Sequence, residues 1–359
     1  EEKRKHMKKN FIFALIVLTI FSLQTVNAQN INLKNIKRKI TEQEYNNLQN
    51  LGFTDIEIGT MNNEEYSKNS HLDAVLVGSN TIYSKDIYIY RLKDQVTSFN
   101  LTEKNSSNIN DDNLELVSKH SVEITEQEYN DMNNKTLITT HGEDIVETTG
   151  KKLTTTISYI SSSNRYRLKN TLEWKNMPKK RYNELYGILY EEANVNTVVG
   201  SQRAYYIYDT LNNCYGTGTT TRKDYSDAKY WNTKYKSYYM SFPLKKDKSV
   251  TYTWDNPSLN NPGSTCPCIN PPEFGNSVTR INEVKSMTAT MYYDILKSTT
   301  TKITALTVAG EYQHSTKQIG LDVSLSFGIK SLSINITPAQ KKNYDGMKNT
   351  KIQLTNINW

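Results

Sequence analysis

Four groups of residues in this chain have the types and spacing that chemistry needs. His141-Gly142-Glu143-Asp144 sets an imidazole beside two carboxylates, the start of a hydrolytic pair or a metal site, within a polar run that also reads as a solvated loop. Cys214 and His314 would make a nucleophile and its base if the fold joined them. Cys214, Cys266 and Cys268 are an odd number of cysteines, so at least one is unpaired or intermolecular. A bond from Cys214 to either of the others would close a long loop and stabilise by ~4 kcal/mol in the chain-entropy account. Free thiols are the alternative, and a metal would lack a fourth ligand nearby. The fourth group is aromatic: Tyr225, Tyr230, Trp231, Tyr235, Tyr238 and Tyr239, interleaved with Lys and Asp. Such rings stack on sugars or anchor a protein partner when exposed, and fill a half-buried core when not.

No phosphate-cradling glycine loop, zinc-binding HExxH or nucleophile-elbow GxSxG occurs, so the sequence calls for no cofactor and no metal. Tyr344-Asp345-Gly346 reads as a tight turn. Without residues 1–28 the chain carries 39 basic and 35 acidic residues, about +4, an ordinary solubility charge that excludes a nucleic-acid footprint.

The elements that must hold these groups are mostly strands. Tyrosine outnumbers phenylalanine 25 to 8, and Thr, Ser and Asn are abundant, which favours half-exposed sheet over helix. Even-spaced apolar positions run through Met287, Ala289, Met291, Tyr293 and Ile295, then Leu306 and Val308 with Tyr312 in phase. Leu321, Val323, Leu325, Phe327 and Ile329 alternate with polar residues. Leu332, Ile334 and Ile336 resume after a slip near Lys330-Ser331, a bulge or turn. Alternation of this kind suits a membrane-barrel strand. It suits equally a soluble sheet with one wet face, which Asp322 and Lys330 favour. Further strands are expected at Leu72–Val77, Ile82–Leu92, Leu153–Ile160, Tyr166–Trp174, Tyr182–Tyr190, Ala204–Tyr208 and Tyr238–Leu244. A rigid loop is expected over Asp255–Pro272, which holds five of the eight prolines.

Helix starts are marked locally. Thr41 with Glu44 and Thr54 with Glu57 are capping boxes, Asn62 offers a third start, and Gly52 a stop. The run Ile-Thr-Glu-Gln-Glu-Tyr-Asn recurs at Ile40–Asn46 and Ile124–Asn130 with different continuations, which reads as one helix start used twice. Glu103–Asn113 reads as a polar linker.

Met7-Lys8-Lys9-Asn10, the apolar run Phe11–Phe21 and the polar approach to Ala28 form a secretory signal-peptide pattern, with cleavage expected after Ala28. Leu51-Gly52-Phe53-Thr54 through Glu64-Glu65-Tyr66, Trp174-Lys175-Asn176-Met177-Pro178, and Tyr312-Gln313-His314 together resemble a group of uncharacterised secreted proteins of Gram-positive bacteria. The resemblance spans most of the chain after the leader and implies export and a β module, without an activity.

The expected fold is mainly β: an antiparallel β-sandwich over 151–359 behind a small α+β module over 31–100. A linker region at 101–150 joins them, and upstream residues plus signal peptide occupy 1–28. The expected role is a secreted, non-enzymatic binding or surface-interaction protein. Its partner would be a cell-surface glycan or protein, with no nucleic acid and no integral membrane anchor. A secreted β-pore-former and a secreted hydrolase are the alternatives.

Overall fold

The computed structural model describes residues 38–92, 114–132, 137–141, 144–179, 181–192, 194–212, 217–225, 229–231, 237–244, 246–253, 277–315, 326–328, 333–335, 344–355, 357 and 359. The expected leader and its cleavage point, the Glu103–Asn113 linker and the Asp255–Pro272 loop lie outside the described residues. Three helices open the described part of the chain: α1 (Glu42–Asn50), α2 (Asp55–Thr60) and α3 (Asn63–Asn69). Then come β1 (Ala74–Leu92), β2 (Leu114–Ile124), α4 (Glu126–Asp131), β3 (Leu137–His141), β4 (Asp144–Ile160), β5 (Arg165–Trp174) and β6 (Asn183–Glu191). They continue with β7 (Val195–Thr197), β8 (Arg203–Asn212), β9 (Thr217–Asp224), β10 (Lys229–Trp231), β11 (Ser237–Pro243) and β12 (Lys248–Thr253). The last are β13 (Ser277–Lys297), β14 (Ala305–Ser315), β15 (Ser326–Gly328), β16 (Ser333–Asn335), β17 (Tyr344–Gly346) and β18 (Thr350–Thr355).

The long strands pair antiparallel into two main sheets. The ten-stranded sheet runs β2-β1-β4-β5-β13-β8-β9, with β3 on β4 and β7 and β12 on β13. The six-stranded sheet runs β10-β11-β6-β14-β17, with β18 also on β14. One core lies between them. Tyr166, Leu168, Leu172 and Trp174 of β5 and Met287, Ala289, Met291, Tyr293 and Ile295 of β13 come from the larger sheet. They meet Tyr186, Ile188 and Tyr190 of β6 and Leu306, Val308 and Tyr312 of β14. Alternate residues of each strand face this core, because a strand sends successive side chains to opposite faces, and most of the residues between them on β5 and β6 are buried as well. Each such aliphatic or aromatic side chain contributes about 1.5–3 kcal/mol by leaving water. Trp174 stands edge-on to Tyr312 at 5.6 Å and to Phe242 at 6.2 Å, tying the sheets at their centre.

The strands expected at Leu72–Val77 and Ile82–Leu92 fall on one strand, β1, which begins at Ala74 and pairs with β4 from Ala74↔Ile160 to Arg91↔Asp144. Within the expected linker region, Leu114–Ile124 is the edge strand β2 and Asp144–Gly150 is the first part of β4. Residues Ile40–Trp359 form one compact unit.

The helices cap the outer face of the larger sheet through charge as well as hydrocarbon. Thr41 and Thr54 close reciprocal capping boxes with Glu44 and Glu57, and Asn62 accepts from the Glu65 N–H at 2.9 Å. Gly52 ends α1 at φ +82°, where a Cβ would also lie 2.5 Å from Thr156 Oγ1, so conformation and space both require glycine. Glu57 is buried on Lys169 of β5 (2.9 Å), with Tyr205 donating to it at 2.9 Å. Glu65 pairs with Arg222 and accepts from Tyr292 at 2.7 Å, and Arg167 bridges Asp294 and Asn69. The repeated heptapeptide builds α1 and α4 with the same Thr–Glu box, and both dock on β4. Ser158 donates to Asn50 O at 2.6 Å, and Gly150 lies under Tyr129 and Met132. Ser158 and Gly150 are an even number of residues apart on β4 and so share a face.

Candidate functional site

β14 has a different partner along each part of its length. Ala305–Gly310 pairs with β18 (Thr355–Thr350), and Gln313–Ser315 pairs with β17 (Gly346–Tyr344). Beyond it, β15 and β16 pair with each other alone, Ser326↔Asn335, Phe327↔Ile334 and Gly328↔Ser333, off both main sheets. All three ladders are centred on the same point of the chain, beside Lys330. Residues 316–325, 329–332 and 336–343 lie outside the described residues.

The register sorts residue types. The β15–β16 ladder sets Phe327 opposite Ile334 and Ser326 opposite Asn335. The phase of the pattern also changes along the chain. In β14 the core positions are even-numbered: Leu306, Val308, Tyr312 and buried His314. From Ile319 to Ile329 the apolar residues are odd-numbered: Ile319, Leu321, Val323, Leu325, Phe327 and Ile329. A strand that continued the β14 ladder unbroken would turn those residues away from the core side.

At the root of this segment the interior between the sheets is ionisable. His314 Nδ1 lies 2.7 Å from Glu184 Oε1 of β6, and Tyr312 donates to the other carboxylate oxygen at 2.5 Å. A carboxylate only accepts, so Nδ1 carries the proton. His314 stands edge-on to Tyr88 at 6.2 Å; Tyr88 donates to Asp86 at 3.1 Å. Asp86 takes Lys151 at 2.6 Å and Lys119 at 3.3 Å, and Lys151 also sits 4.8 Å over the Tyr312 ring. Burial pushes the Asp86 carboxyl up, but the two lysines outweigh it and hold it well below the usual range. Burial pushes the Lys151 ammonium down, against the pull of Asp86.

Glu147 on β4 is the exception among these carboxylates. It accepts from Tyr90 and from the Lys179 N–H, both at 2.8 Å, yet burial raises it to about 7. An acid held above its unfolded value destabilises the fold as it ionises: the penalty is absent below about pH 4.5 and complete above about pH 7. Glu147→Gln is therefore expected to raise stability at pH 8 relative to pH 5 by up to about 3 kcal/mol. Urea midpoints at the two values check this, and equal shifts at both would refute the assignment.

The other sequence-derived candidates fall as follows. Tyr238 and Tyr239 are both buried; Tyr238 stands edge-on to Tyr293 at 5.9 Å in the core between the sheets, and Tyr239, next to it on β11, faces the opposite way. Tyr225 is partly buried against the core. Tyr230 and Trp231 are on β10, opposite Tyr238 and Ser237. Tyr235, Cys214, Cys266, Cys268, Gly142 and Glu143 lie outside the described residues, while His141 and Asp144 face each other at the end of the β3–β4 ladder. His314 has the carboxylate partner that a hydrolase needs, but both groups are enclosed between the sheets. Among the described residues no group of three or more His, Cys, Asp and Glu could hold a metal ion. No helix among them is long and apolar enough to cross a membrane.

No family model matches the chain, and no curated protein matches it. Comparison with solved structures returns a chain titled "Pore forming protein", 9% identical, covering 61% of this chain and 88% of that one with a TM-score of 0.21. At that score the likeness assigns neither fold nor function.

Proposed function

We propose that this chain is an exported, non-enzymatic protein that acts on membranes through the segment between β14 and β17. The sandwich is the carrier, and the segment joins the strands of a lipid-facing barrel. The observation that supports this is the shared centre of the three ladders together with the reversal of apolar phase beyond His314. A core-seeking strand would keep the phase of Leu306 and Val308. A strand with lipid on its outer face and water on its inner face reverses it, with Ser324, Ser326 and Gly328 on the wet side. Ile319–Ile329 reaches the roughly ten residues that a tilted strand needs to cross a bilayer. Attachment to a cell-surface glycan or protein would precede insertion.

The chain from Gln29 onward is expected to release dye from phospholipid vesicles and to form oligomers that resist SDS. Leu325→Asp with Phe327→Asp should lower the release rate by about tenfold or more, because a charge at mid-bilayer costs about 2–4 kcal/mol. Its melting temperature should stay unchanged. A strictly monomeric chain that releases nothing from any vesicle would end this reading.

A further inference from the structure

Two connections pass between the sheets: residues 175–182 join β5 to β6, and residues 244–247 join β11 to β12. They are tied to each other. The Leu244 N–H donates to Tyr182 O at 3.0 Å, and Arg181 donates to the Asp247 carboxylate at 2.8 Å and 3.4 Å. Asp247 also accepts from the Val284 N–H of β13 at 2.7 Å. These ties lie where β6 begins, since Pro243 stands opposite Asn183; β14 ends there too, with His314 opposite Glu184. The positive charge of the chain is gathered in the same two stretches. Residues 175–182 and 244–248 hold seven Lys and Arg against one Asp, whereas the rest of the chain from Gln29 holds 32 basic and 34 acidic residues. Lys246 and Lys248 are exposed on either side of Asp247, and Lys179 is half-buried. Arg181 is neutralised by Asp247, and Lys175 is turned to the carbonyls of Tyr129 and Asn130. The acids beside them are engaged: Glu147 accepts the Lys179 N–H in the interior, and Glu283, next to the Lys248 partner Asn282, takes Lys285.

We propose that Lys179, Lys246 and Lys248 form a basic face that lays the sandwich on anionic phospholipid headgroups, beside the end of β14. This rests on the membrane reading for its purpose. Ammonium groups on flexible stems, set along two tied turns, meet a plane of phosphates that has no fixed geometry. A discrete phosphate site would instead aim a guanidinium fork at one point, and the guanidinium here, Arg181, is bridged to Asp247. A nucleic acid would need a longer basic track, and outside these turns the chain is slightly acidic. Each lysine close to an anionic bilayer strengthens binding by about fivefold, and the attraction fades over about 8 Å in physiological salt. The face therefore works only when this end of β6 is turned to the bilayer, and in that pose Ser315, the last residue of β14, is brought to the bilayer as well.

The test is flotation of the chain from Gln29 onward with phosphatidylcholine vesicles and with phosphatidylcholine–phosphatidylglycerol vesicles, beside dye release from both. Binding should be about tenfold tighter or more on the anionic vesicles and should fall away in about 0.5 M NaCl. Lys246→Gln with Lys248→Gln should weaken anionic binding about twentyfold and leave the melting temperature unchanged, since both side chains are exposed. Asp247→Asn keeps an acceptor for the Val284 N–H, removes the one negative charge of the face and should tighten binding about fivefold. Lys302→Gln with Lys351→Gln takes the same charge from exposed positions elsewhere and should change binding by less than about twofold. Equal binding to the two vesicle types, equal losses in the two double variants, or displacement by inorganic phosphate at constant ionic strength overturns the face. Dye release that is equally fast from both vesicles and in the Lys246–Lys248 variant removes the face and keeps the membrane reading. Anionic binding that the Lys246–Lys248 variant loses, with no release from either vesicle, keeps the face and removes the membrane reading.

Discussion

Glu57→Ala is expected to cost about 3–5 kcal/mol of folding stability without removing a hydrophobic side chain. The carboxylate is fully buried under the helical cap, where it takes Lys169 at 2.9 Å, Tyr205 at 2.9 Å, Thr290 at 2.5 Å and the Thr54 N–H at 2.7 Å. Burial by itself would raise this acid; Lys169, with the donors from Thr290 and Thr54, outweighs it and holds the group below its usual 4.5. Its stabilising contribution is thus present above about pH 4.5 and is lost as pH falls. Alanine leaves the Lys169 ammonium buried without its counter-charge and strips Tyr205 and Thr290 of their acceptor, and both losses exceed what the pair adds over a neutral packing. Glu57→Leu combined with Lys169→Met should lose less than the single alanine. Part of the loss remains, since Lys169 also donates to Gly52 O at 2.8 Å. Urea unfolding with a common slope measures both variants. A single-variant loss under about 1 kcal/mol would show that the ion pair does not carry the cap.

Gly310→Ala should lower stability by about 3 kcal/mol, or roughly 5–10 °C in melting temperature. An added methyl would lie 2.2 Å from Thr155 Oγ1 and 2.5 Å from the Asn170 amide. Neither neighbour is free to retreat. Thr155 donates to Asn170 at 2.9 Å and accepts from Thr350, Asn170 donates to Gly187 O at 3.1 Å, and the Thr350 hydroxyl lies 3.3 Å from Gly310 O. This buried polar knot joins β4 and β5 of one sheet to β6, β14 and β18 of the other, and the two backbones approach closely because residue 310 has no side chain. Moving any member leaves a buried donor or acceptor unpaired. Differential scanning calorimetry reads the loss, and an unchanged melting temperature would mean that the sheets part more easily than this packing implies.

Much of the architecture is legible along the chain because its causes are local. Met287 through Ile295 alternates strictly, and those residues are the inner face of β13. Thr41, Thr54 and Thr125, each with a glutamate three residues later, begin helices because the box is satisfied within a single turn. Leu114–Ile124 escaped that reading. Its residues between Leu116 and Ile124 are mostly polar, as an edge strand beside solvent tolerates, and its strand character comes from β1. Within the aromatic row the burial of Tyr238 and Tyr239 was not legible for a related reason: each carries the same hydroxyl whether its ring is covered or wet.

The sequence by itself determined where strands and helices begin, the two-residue rhythm that divides each strand into faces, and the reversal of that rhythm beyond His314. Only the tertiary structure decided which face is inside and which charges neutralise one another. Glu57 reads as a helix cap until β5 brings Lys169 to it, and Asp86 of β1 is neutralised only when β2 and β4 close on it with Lys119 and Lys151. Capping and alternation are satisfied within a few residues. The balance of a buried charge depends on side chains from distant strands, and it exists only once the sheets have closed.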